Sequence, residues 1–383
     1  MNTTSLKRSG AQFIGSMVAG VLFAASSQAS VTAYAFTDLG TLGGTTSAAY
    51  SINNLGQVVG ESSLSSNVAT HATLWNGTVA TDLGAFGGHG SLARGINNSG
   101  QIVGNANFDD GPHAIRWNGG ATTDLGAAPG VLQPSLANAI NDLGQVVGYS
   151  GLDLGYVASQ ATVWNGATAT VFGIRGGLDS GARGINNSGQ IVGNDGGTPI
   201  LWDGGARIVL PTNDAITYAF PSAINDSGKI VGDSNLVDKG GVYATLWDGD
   251  TVTNLDPLNT YTGSEANAIN NSGEIVGVSY IVNELGSGHA TFWNGATAAV
   301  DLNSLLDTGT VNAGWVLISA SDINDKGAIV GTASNSVLGI DSHAFLLTPV
   351  PEPDTYALLL AGLGLVGFIG RRKKRSISGA SAA

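Results

Sequence analysis

INNSGQIVG at residues 96–104 is one of seven near-copies of a nine-residue motif that dominates this chain. The closing glycines of successive copies are 44, 44, 45, 39, 45 and 54 residues apart. A period near 45 residues is typical of stacked or radially arranged supersecondary units, not of one mixed core. The other copies are INNLGQVVG (52–60), INDLGQVVG (140–148), INNSGQIVG (185–193), INDSGKIVG (224–232), INNSGEIVG (269–277) and INDKGAIVG (323–331).

Two further segments recur with the motif, an H-A-x-x-W-N-G type such as HATLWNG (71–77) and a D-L-G type such as TDLGAFGG (81–88). Together with the run into Ile-Asn and the G-x-I-V-G run, they give each unit four strand candidates. Asn-Asn-x-Gly and Asn-Gly separate these candidates, and both Asn and Gly accept the positive φ of tight hairpins. Four short strands in about 45 residues predict one blade of a β-propeller.

The two ends of the repeat region predict how the ring closes. YAFTDLG (34–40) is a fourth strand without a preceding third, and HAFLLTP (343–349) is a third strand without a following fourth. We therefore predict an all-β, seven-bladed β-propeller of four-stranded blades, closed by the N-terminal strand. The degenerate fourth unit and the long last unit leave six or eight blades open. The tryptophans predicted to fill the wedges between blades are Trp75, Trp117, Trp164, Trp202, Trp247 and Trp293.

Composition and charge narrow the class of protein. The chain has 383 residues with 58 Gly and only 11% charged residues, as expected for short strands joined by tight turns. Residues 30–350 carry 8 Lys and Arg against 26 Asp and Glu, so this region repels phosphates and nucleic-acid binding is excluded. Cysteine is absent, which excludes disulfides and thiolate metal sites.

The N-terminus predicts a secretory signal peptide. Lys7 and Arg8 precede an apolar stretch at 11–25, and small residues follow at Ser27 and Ala29. This order of a basic, an apolar and a small-residue region predicts cleavage after Ala29. A retained membrane anchor is the alternative.

The C-terminus, VPEPDTYALLLAGLGLVGFIGRRKKR (350–375), joins a Pro-Glu-Pro triplet, an apolar run at 356–370 and a basic cluster that begins with Arg371 and Arg372. Fifteen helical residues rise about 22 Å, which is less than the roughly 30 Å thickness of the hydrocarbon core. Arginines whose side chains reach up to the membrane surface make up part of this difference. The basic cluster stays cytoplasmic, which leaves the repeats outside. A plain tail anchor or a buried helix is the alternative.

These three parts resemble the PEP-CTERM sorting signal. The resemblance implies recognition by an exosortase and the export machinery at Pro351, Glu352 and Pro353. It also implies a membrane-anchored precursor, removal of the helix, and delivery to the surface or matrix of a Gram-negative bacterium. The predicted organisation is a signal peptide (1–29), a propeller (30–349), a sorting signal (350–375) with a transmembrane helix at about 356–370, and a cytoplasmic tail (376–383).

The repeat region, 34–349, is also similar to the HAF-repeat family of extracellular bacterial proteins, on the residues His343, Ala344 and Phe345. This resemblance implies an extracellular location and carries no activity. Thr198 and Tyr243 replace the histidine in two units, which argues against a histidine function common to all blades.

No catalytic or metal-binding set is predicted. G-x-S-x-G, H-E-x-x-H and P-loop patterns are absent from the sequence, and most acidic residues recur generically with the repeat. Equivalent histidines on different blades point in different radial directions, so they do not converge on one metal. No cofactor is expected. NANFDDG (105–111) alternates oxygen-bearing side chains as a calcium loop does, but it lacks the first Asp and the twelfth-position Glu.

Residues outside the repeat pattern are the candidates for a specific site. We predict sugar contacts at Trp315, Tyr156 and Arg175, because aromatic rings with a few polar groups on one propeller face suit a saccharide. The predicted function is non-enzymatic: a surface or matrix protein that binds or organises exopolysaccharide. The alternatives are a secreted glycosidase or lyase, and a purely structural or adhesive matrix protein. The remaining candidates are Phe108, Asp109, Asp110, Tyr218, Phe220 and Lys239.

Overall fold

Seven antiparallel four-stranded sheets form the computed structural model of this protein. It describes residues 33–350, except 132–133, 152–158, 173–178, 213–215, 285 and 296. Each sheet is one blade of an all-β propeller, and the seven-bladed prediction is confirmed. Among the described residues, no helix has the length and apolar character needed to cross a membrane.

Six blades consist of four strands that follow one another in the sequence. Their bounds are β2 Gly43–Ile52, β3 Gln57–Leu64, β4 Thr70–Asn76 and β5 Val79–Asp82; β6 Ser91–Ile96, β7 Ile102–Phe108, β8 Gly111–Asn118 and β9 Ala121–Asp124; β10 Ser135–Ile140, β11 Gln145–Ser150, β12 Gln160–Asn165 and β13 Thr168–Val171; β14 Ser180–Ile185, β15 Ile191–Asp195, β16 Thr198–Asp203 and β17 Ala206–Val209; β18 Ile216–Ile224, β19 Ile230–Leu236, β20 Gly241–Asp248 and β21 Thr251–Asn254; β22 Gly263–Ile269, β23 Glu274–Tyr280, β24 His289–Asn294 and β25 Val300–Asp301.

The seventh blade joins the two ends of the propeller. Its strands are β26 Trp315–Ile323, β27 Ile329–Asn335, β28 Ile340–Pro349 and β1 Tyr34–Asp38. β1 pairs antiparallel with β28, from Tyr34 opposite Pro349 to Asp38 opposite Phe345. The predicted closure by the N-terminal strand is therefore confirmed. A 3₁₀ helix, Leu302–Leu305, and a short helix α1, Thr308–Asn312, occupy the connection before β26 and account for the 54-residue step.

Hydrophobic clusters lie between blades and not inside one blade. In one such cluster, Val103 and Ala114 of the second blade pack with Val146 and Trp164 of the third. Trp164 is fully buried, and its indole N–H donates to the carbonyl of Gly126 in the preceding connection at 3.1 Å. The tryptophans therefore fill the wedges as predicted. Leu347 takes the tryptophan position in the seventh blade and is also fully buried.

The innermost strand of each blade (β2, β6, β10, β14, β18, β22, β26) runs along a central channel and ends in a turn to the second strand. These seven Asn-Asn/Asp-x-Gly turns define one face of the propeller, here the ring face. The opposite face, where the innermost strands begin, is the mouth face. In the turns the glycine alone takes positive φ, as at Gly100 (+78°). The prediction that the asparagines share this conformation is wrong, because they act through their side chains.

Candidate functional site: the central channel

A β-bulge recurs in the innermost strand of every blade. In the first blade Ala49 pairs with Gly60 and Ser51 pairs with Val59, which leaves Tyr50 between them without a partner in the register. A bulge bends its strand and re-aims the extra side chain. The seven bulged residues all line the central cavity, and we call them the bulge ring: Tyr50, Arg94, Asn138, Arg183, Ser222, Asn267 and Ser321.

The closing glycine of the nine-residue motif is required by this bulge. A Cβ added to Gly104 would overlap the carbonyl oxygen of Leu92, and one added to Gly193 would overlap that of Gly181. The other five closing glycines meet the equivalent carbonyl in the same way. Glycine is therefore needed at this position because the bulged strand's backbone passes where a side chain would stand.

The channel is widest toward the mouth face. A cavity of about 600 Å³ there is lined by the bulge ring together with Tyr149, Asp179 and Asn194. It continues inward as a space of about 280 Å³ bounded by the isoleucines of six of the seven motifs and, in the seventh blade, by Asp322. Beyond them, a space of about 200 Å³ lies among the asparagines of the ring face. The cavity at the mouth, hereafter the mouth cavity, has the size of a small-ligand site.

Two of its lining residues, Arg94 and Arg183, form no salt bridge with a described residue, although Asp233 is near enough to Arg183 for their charges to interact. Neither guanidinium has an ion-pair or hydrogen-bond partner among the described residues, although Arg183 lies 5.6 Å from the centre of the Phe220 ring. Arg207, by contrast, binds Asp195 at 2.8 Å in the same blade. Two unpaired arginines in one cavity of an acidic protein are a candidate anion-binding arrangement.

Acidic and phenolic groups lie near enough to the two arginines for their charges to interact. Burial raises the pKa of Asp233 to about 6, the nearby Glu265 carboxylate adds to the rise, and the Arg183 guanidinium opposes it. The hydroxyl of Tyr50 donates to Glu61 Oε1 at 2.7 Å. Burial and that carboxylate raise the pKa of Tyr50, so its hydroxyl stays protonated and acts as a donor.

Asp322 interrupts a ring of small residues directly below the bulge ring. Six blades have Ser, Gly or Ala at this position, whereas Asp322 reaches from the seventh blade to the first. Its Oδ2 accepts from Ser51 Oγ at 2.8 Å and from the Ile52 amide at 2.9 Å. Burial raises the pKa of Asp322 to about 6, although these hydrogen bonds oppose the rise.

The ring face is built from two closed circles of hydrogen bonds. The first asparagine of each turn is buried and donates Nδ2 to the backbone carbonyl of its counterpart in the next blade, from Asn53 to Asn97 around to Asn324 and back, at 3.0–3.1 Å. The second residue accepts on Oδ1 from the preceding blade's amide at 2.8–2.9 Å, in the order Asn54, Asn98, Asp142, Asn187, Asp226, Asn271 and Asp325.

These circles explain the Asn and Asp at this face by contacts within the protein. In the circle formed by the second turn residues, no Asp is next to another Asp. Each of its carboxylates accepts from a neighbouring carboxamide, as Asp142 does from Asn98 Nδ2 at 2.9 Å. Within residues 33–350 as described, no three His, Asp or Glu side chains come close enough to hold a metal ion. The ring face is accordingly a structural element.

The repeated histidines also have partners within their blades. His71 Nδ1 lies 2.9 Å from Asp82, and His289 Nδ1 lies 2.9 Å from Asp301, the D-L-G aspartate of the fourth strand. His113 and His343 have the equivalent aspartates as partners. Histidine and aspartate occur together in four blades, and this co-occurrence was the signal for the pairing in the sequence.

Of the three predicted sugar contacts, the described residues include Trp315. Its ring lies 5.0 Å from Phe36 and 6.2 Å from His343, against the cluster between the sixth and seventh blades and not in the mouth cavity. Tyr156 and Arg175 lie outside the described residues, as does the sorting signal with Pro351, Glu352, Pro353, Arg371 and Arg372.

The stretch considered for calcium, 105–111, forms the end of β7, a turn and the start of β8. Asp109 in this turn contacts His89 Nε2 at 2.7 Å, and Asp110 contacts His113 Nε2 at 3.1 Å. Imidazoles therefore contact the two carboxylates of the stretch.

Sequence reasoning missed the bulge ring. Its residues stand two positions before each Ile-Asn, where the repeat holds Tyr, Arg, Asn, Arg, Ser, Asn and Ser in turn. A polar position that varies inside an otherwise regular repeat was the available signal.

Comparison with known proteins identifies the C-terminal segment. Residues 349–374 match the PEP-CTERM protein-sorting motif. This motif is a sorting signal recognised by exosortase, and it implies export with anchoring in the membrane before processing. The comparison with curated proteins finds no match.

Comparison with solved structures supports the fold alone. YCF48, solved with a bound peptide, is 13% identical with a TM-score of 0.50, and the match covers 85% of this chain and 100% of that one. The β-propeller domain of the Trilobed protease from Pyrococcus furiosus is 10% identical with a TM-score of 0.46, over 66% of this chain and 80% of that one.

Proposed function

We propose that this chain is an exported, non-enzymatic propeller that binds and organises exopolysaccharide through its mouth cavity. The observation that carries the proposal is the bulge ring, which directs seven polar side chains of four different kinds into one cavity of about 600 Å³. Amide, hydroxyl and guanidinium groups match the hydroxyl and charged groups of a sugar chain. We propose no cofactor for this site, with calcium at 105–111 as the weaker alternative.

The termini of the propeller support an outward orientation of this cavity. β28 ends beside the ring-face turn, where the Pro349 ring approaches Gly327, and the Val350 amide donates to the Ala33 carbonyl at 2.8 Å. The sorting motif, which begins at 349, thus leaves from the ring face. In the anchored precursor, this exit directs the mouth face away from the bilayer and toward extracellular polymer.

The finer steps of export belong to the same proposal. We propose cleavage of a signal peptide after Ala29, and exosortase recognition at Pro351, Glu352 and Pro353 with Arg371 and Arg372 on the cytoplasmic side. Release to the cell surface or biofilm matrix follows, as the similarity to HAF-repeat proteins also implies. Intact mass of the protein from membrane and medium tests this, because a retained basic tail in the released protein would contradict processing.

A blocking variant tests binding at the mouth. Ser222→Trp places a large ring in the mouth cavity, whereas Ser188→Trp makes the same change at an exposed turn of the ring face. We expect the first variant to lose binding to the exopolysaccharide of the native host and the second to retain it. Equal binding by both folded variants would contradict a mouth site, and binding by neither variant nor the parent would favour a purely structural matrix protein.

The predicted contacts Trp315, Tyr156 and Arg175 enter the same measurements. Alanine variants of Trp315 and Tyr156 that keep full affinity would remove these two residues from the proposed site, without affecting the bulge ring.

A glycosidase or lyase is the second candidate function, favoured by Asp233. A carboxyl with a pKa of about 6 beside a second carboxyl, Glu265, has the environment of an acid–base pair. Digestion of the host polysaccharide by the parent, lost in Asp233→Asn, would support the enzyme over the binding protein.

A further inference from the structure

We infer that the ligand of the mouth cavity is an anionic saccharide whose carboxylate groups bind Arg94 and Arg183. This inference rests on the proposed function and narrows it from polysaccharides in general to acidic ones. It concerns two arginines that form no salt bridge, and two carboxamide oxygens that accept no hydrogen bond, among the described residues of the channel.

The distribution of positive charge carries the first step. Only eight Lys and Arg lie between residues 30 and 350, against 26 acidic residues. Three of them, Arg207, Lys229 and Lys239, form ion pairs with aspartates. Arg94 and Arg183, by contrast, line the cavity from the second and fourth blades without an ion-pair partner among the described residues.

The chemistry of guanidinium carries the second step. Its planar fork matches a carboxylate with two parallel hydrogen bonds, and it is less strongly hydrated than an ammonium group. The two bulges place their arginines at equivalent positions of the channel wall, in the second and fourth blades, with Asn138 of the third blade between them. Two such forks in one cavity suit a polymer that repeats its carboxylates better than a ligand with a single charge.

The neutral members of the bulge ring complete the match to a sugar. Asn138 Nδ2 donates to the Ala182 carbonyl and Asn267 Nδ2 to the Ala320 carbonyl, both at 2.8 Å. These bonds fix the two carboxamides and leave their Oδ1 atoms without a donor among the described residues. An oxygen fixed in this way accepts from a sugar hydroxyl, which provides the second kind of contact that an acidic saccharide requires.

Titration calorimetry on the full-length chain in detergent tests the inference, with oligogalacturonate and its carboxyl-reduced form as probes. We expect the acidic oligomer to bind, and the neutral oligomer to bind at least tenfold more weakly. Arg94→Gln and Arg183→Gln should each weaken the acidic oligomer roughly tenfold, the usual effect of removing a charge-assisted hydrogen bond. Arg→Lys should restore part of the loss, since the charge remains but the fork does not.

Arg116→Gln is the matched control, because Arg116 lies on β8 of the second blade and outside the mouth cavity. It should bind as the parent does. Equal binding of both oligomers, or acidic binding that is unchanged in the double Arg94→Gln, Arg183→Gln variant, would overturn the inference and leave saccharide binding at the mouth intact. Absence of binding by either oligomer, together with no binding to host polysaccharide, would overturn the proposed function itself.

Discussion

Two neighbouring positions of the innermost strands follow opposite rules. At the ring face every blade ends in Ile-Asn followed by Asn or Asp, and the buried asparagine bonds the next blade in a closed circle. Two residues earlier, the bulge ring differs from blade to blade and includes two arginines without ion-pair partners among the described residues. The lesson is that repetition marks where the protein binds itself, and variation marks where it is available to bind something else.

A side chain at the closing glycine should have the largest effect on stability. Gly193→Ala would force a Cβ against the Gly181 carbonyl oxygen, so we expect a loss of about 3 kcal/mol or more in the free energy of unfolding. Gly181→Ala is the control in the same blade, because its added Cβ meets only ordinary contacts at 3.8 Å or more. Thermal and chemical unfolding of both variants give the measurement, and equal stabilities would contradict the role assigned to the closing glycine.

Breaking the circle of hydrogen bonds made by the buried first asparagines should have the next largest effect on the free energy of unfolding. Asn186→Ala removes a buried carboxamide that donates to the Asn225 carbonyl at 3.0 Å and accepts from two amides of its own turn. We expect a loss of about 2 kcal/mol, since buried partners are left unsatisfied. Asn187→Ala, at the exposed neighbour, should cost under about 1 kcal/mol because water replaces its partners. Urea unfolding midpoints that rank the two variants in reverse would contradict this.

Asp322, at the junction between the first and last blades, should make the stability of the folded protein depend on pH. The pKa of Asp322 in the folded protein, about 6, exceeds its ordinary value of 3.8 because burial disfavours the charge. Ionised Asp322 therefore lowers stability above about pH 6, and this cost disappears as the pH falls through 6 toward 4. The expected gain on acidification is on the order of 1 kcal/mol.

Asp322→Ser isolates this contribution, because the first blade has a serine, Ser51, at the equivalent position. Asp233 has a pKa raised in the same direction and contributes a dependence of the same sign. We therefore expect the variant's melting temperature to rise less steeply between about pH 7 and 4 than that of the parent. Identical slopes would show that Asp322 does not titrate in this range.

Changes in the bulge ring should have the smallest effect on stability. The double variant Arg94→Gln, Arg183→Gln removes no ion pair between described residues, so we expect unfolding within about 0.5 kcal/mol of the parent. A loss comparable to that of Asn186→Ala would mean that these side chains also hold the propeller together, and the contrast between the bulge ring and the ring-face asparagines would fail.

Particular residues show which features of the fold could be predicted from the sequence. The orphan strand 34–40 correctly predicted closure through β1, and Trp164 correctly predicted packing between blades. The turn prediction was half right: Gly100 takes the positive φ, whereas Asn97 instead accepts from the Ser99 and Gln101 amides through Oδ1. Trp315 was selected because it breaks the repeat, yet its ring packs on Phe36 of β1 against the cluster between the sixth and seventh blades.

The sequence by itself determined the blade, the blade count within narrow limits, the partner strand that closes the ring, and the C-terminal sorting motif. These depend on local turn chemistry and periodicity, which are readable over 45 residues. Only the tertiary structure decided that residues 44 or 45 apart, such as Tyr50, Arg94 and Asn138, meet in one cavity. The physical reason is that a bulge is a register shift between two strands, and the bulged side chains meet only when the seven blades form a closed ring. The pattern of a single repeat encodes neither of these.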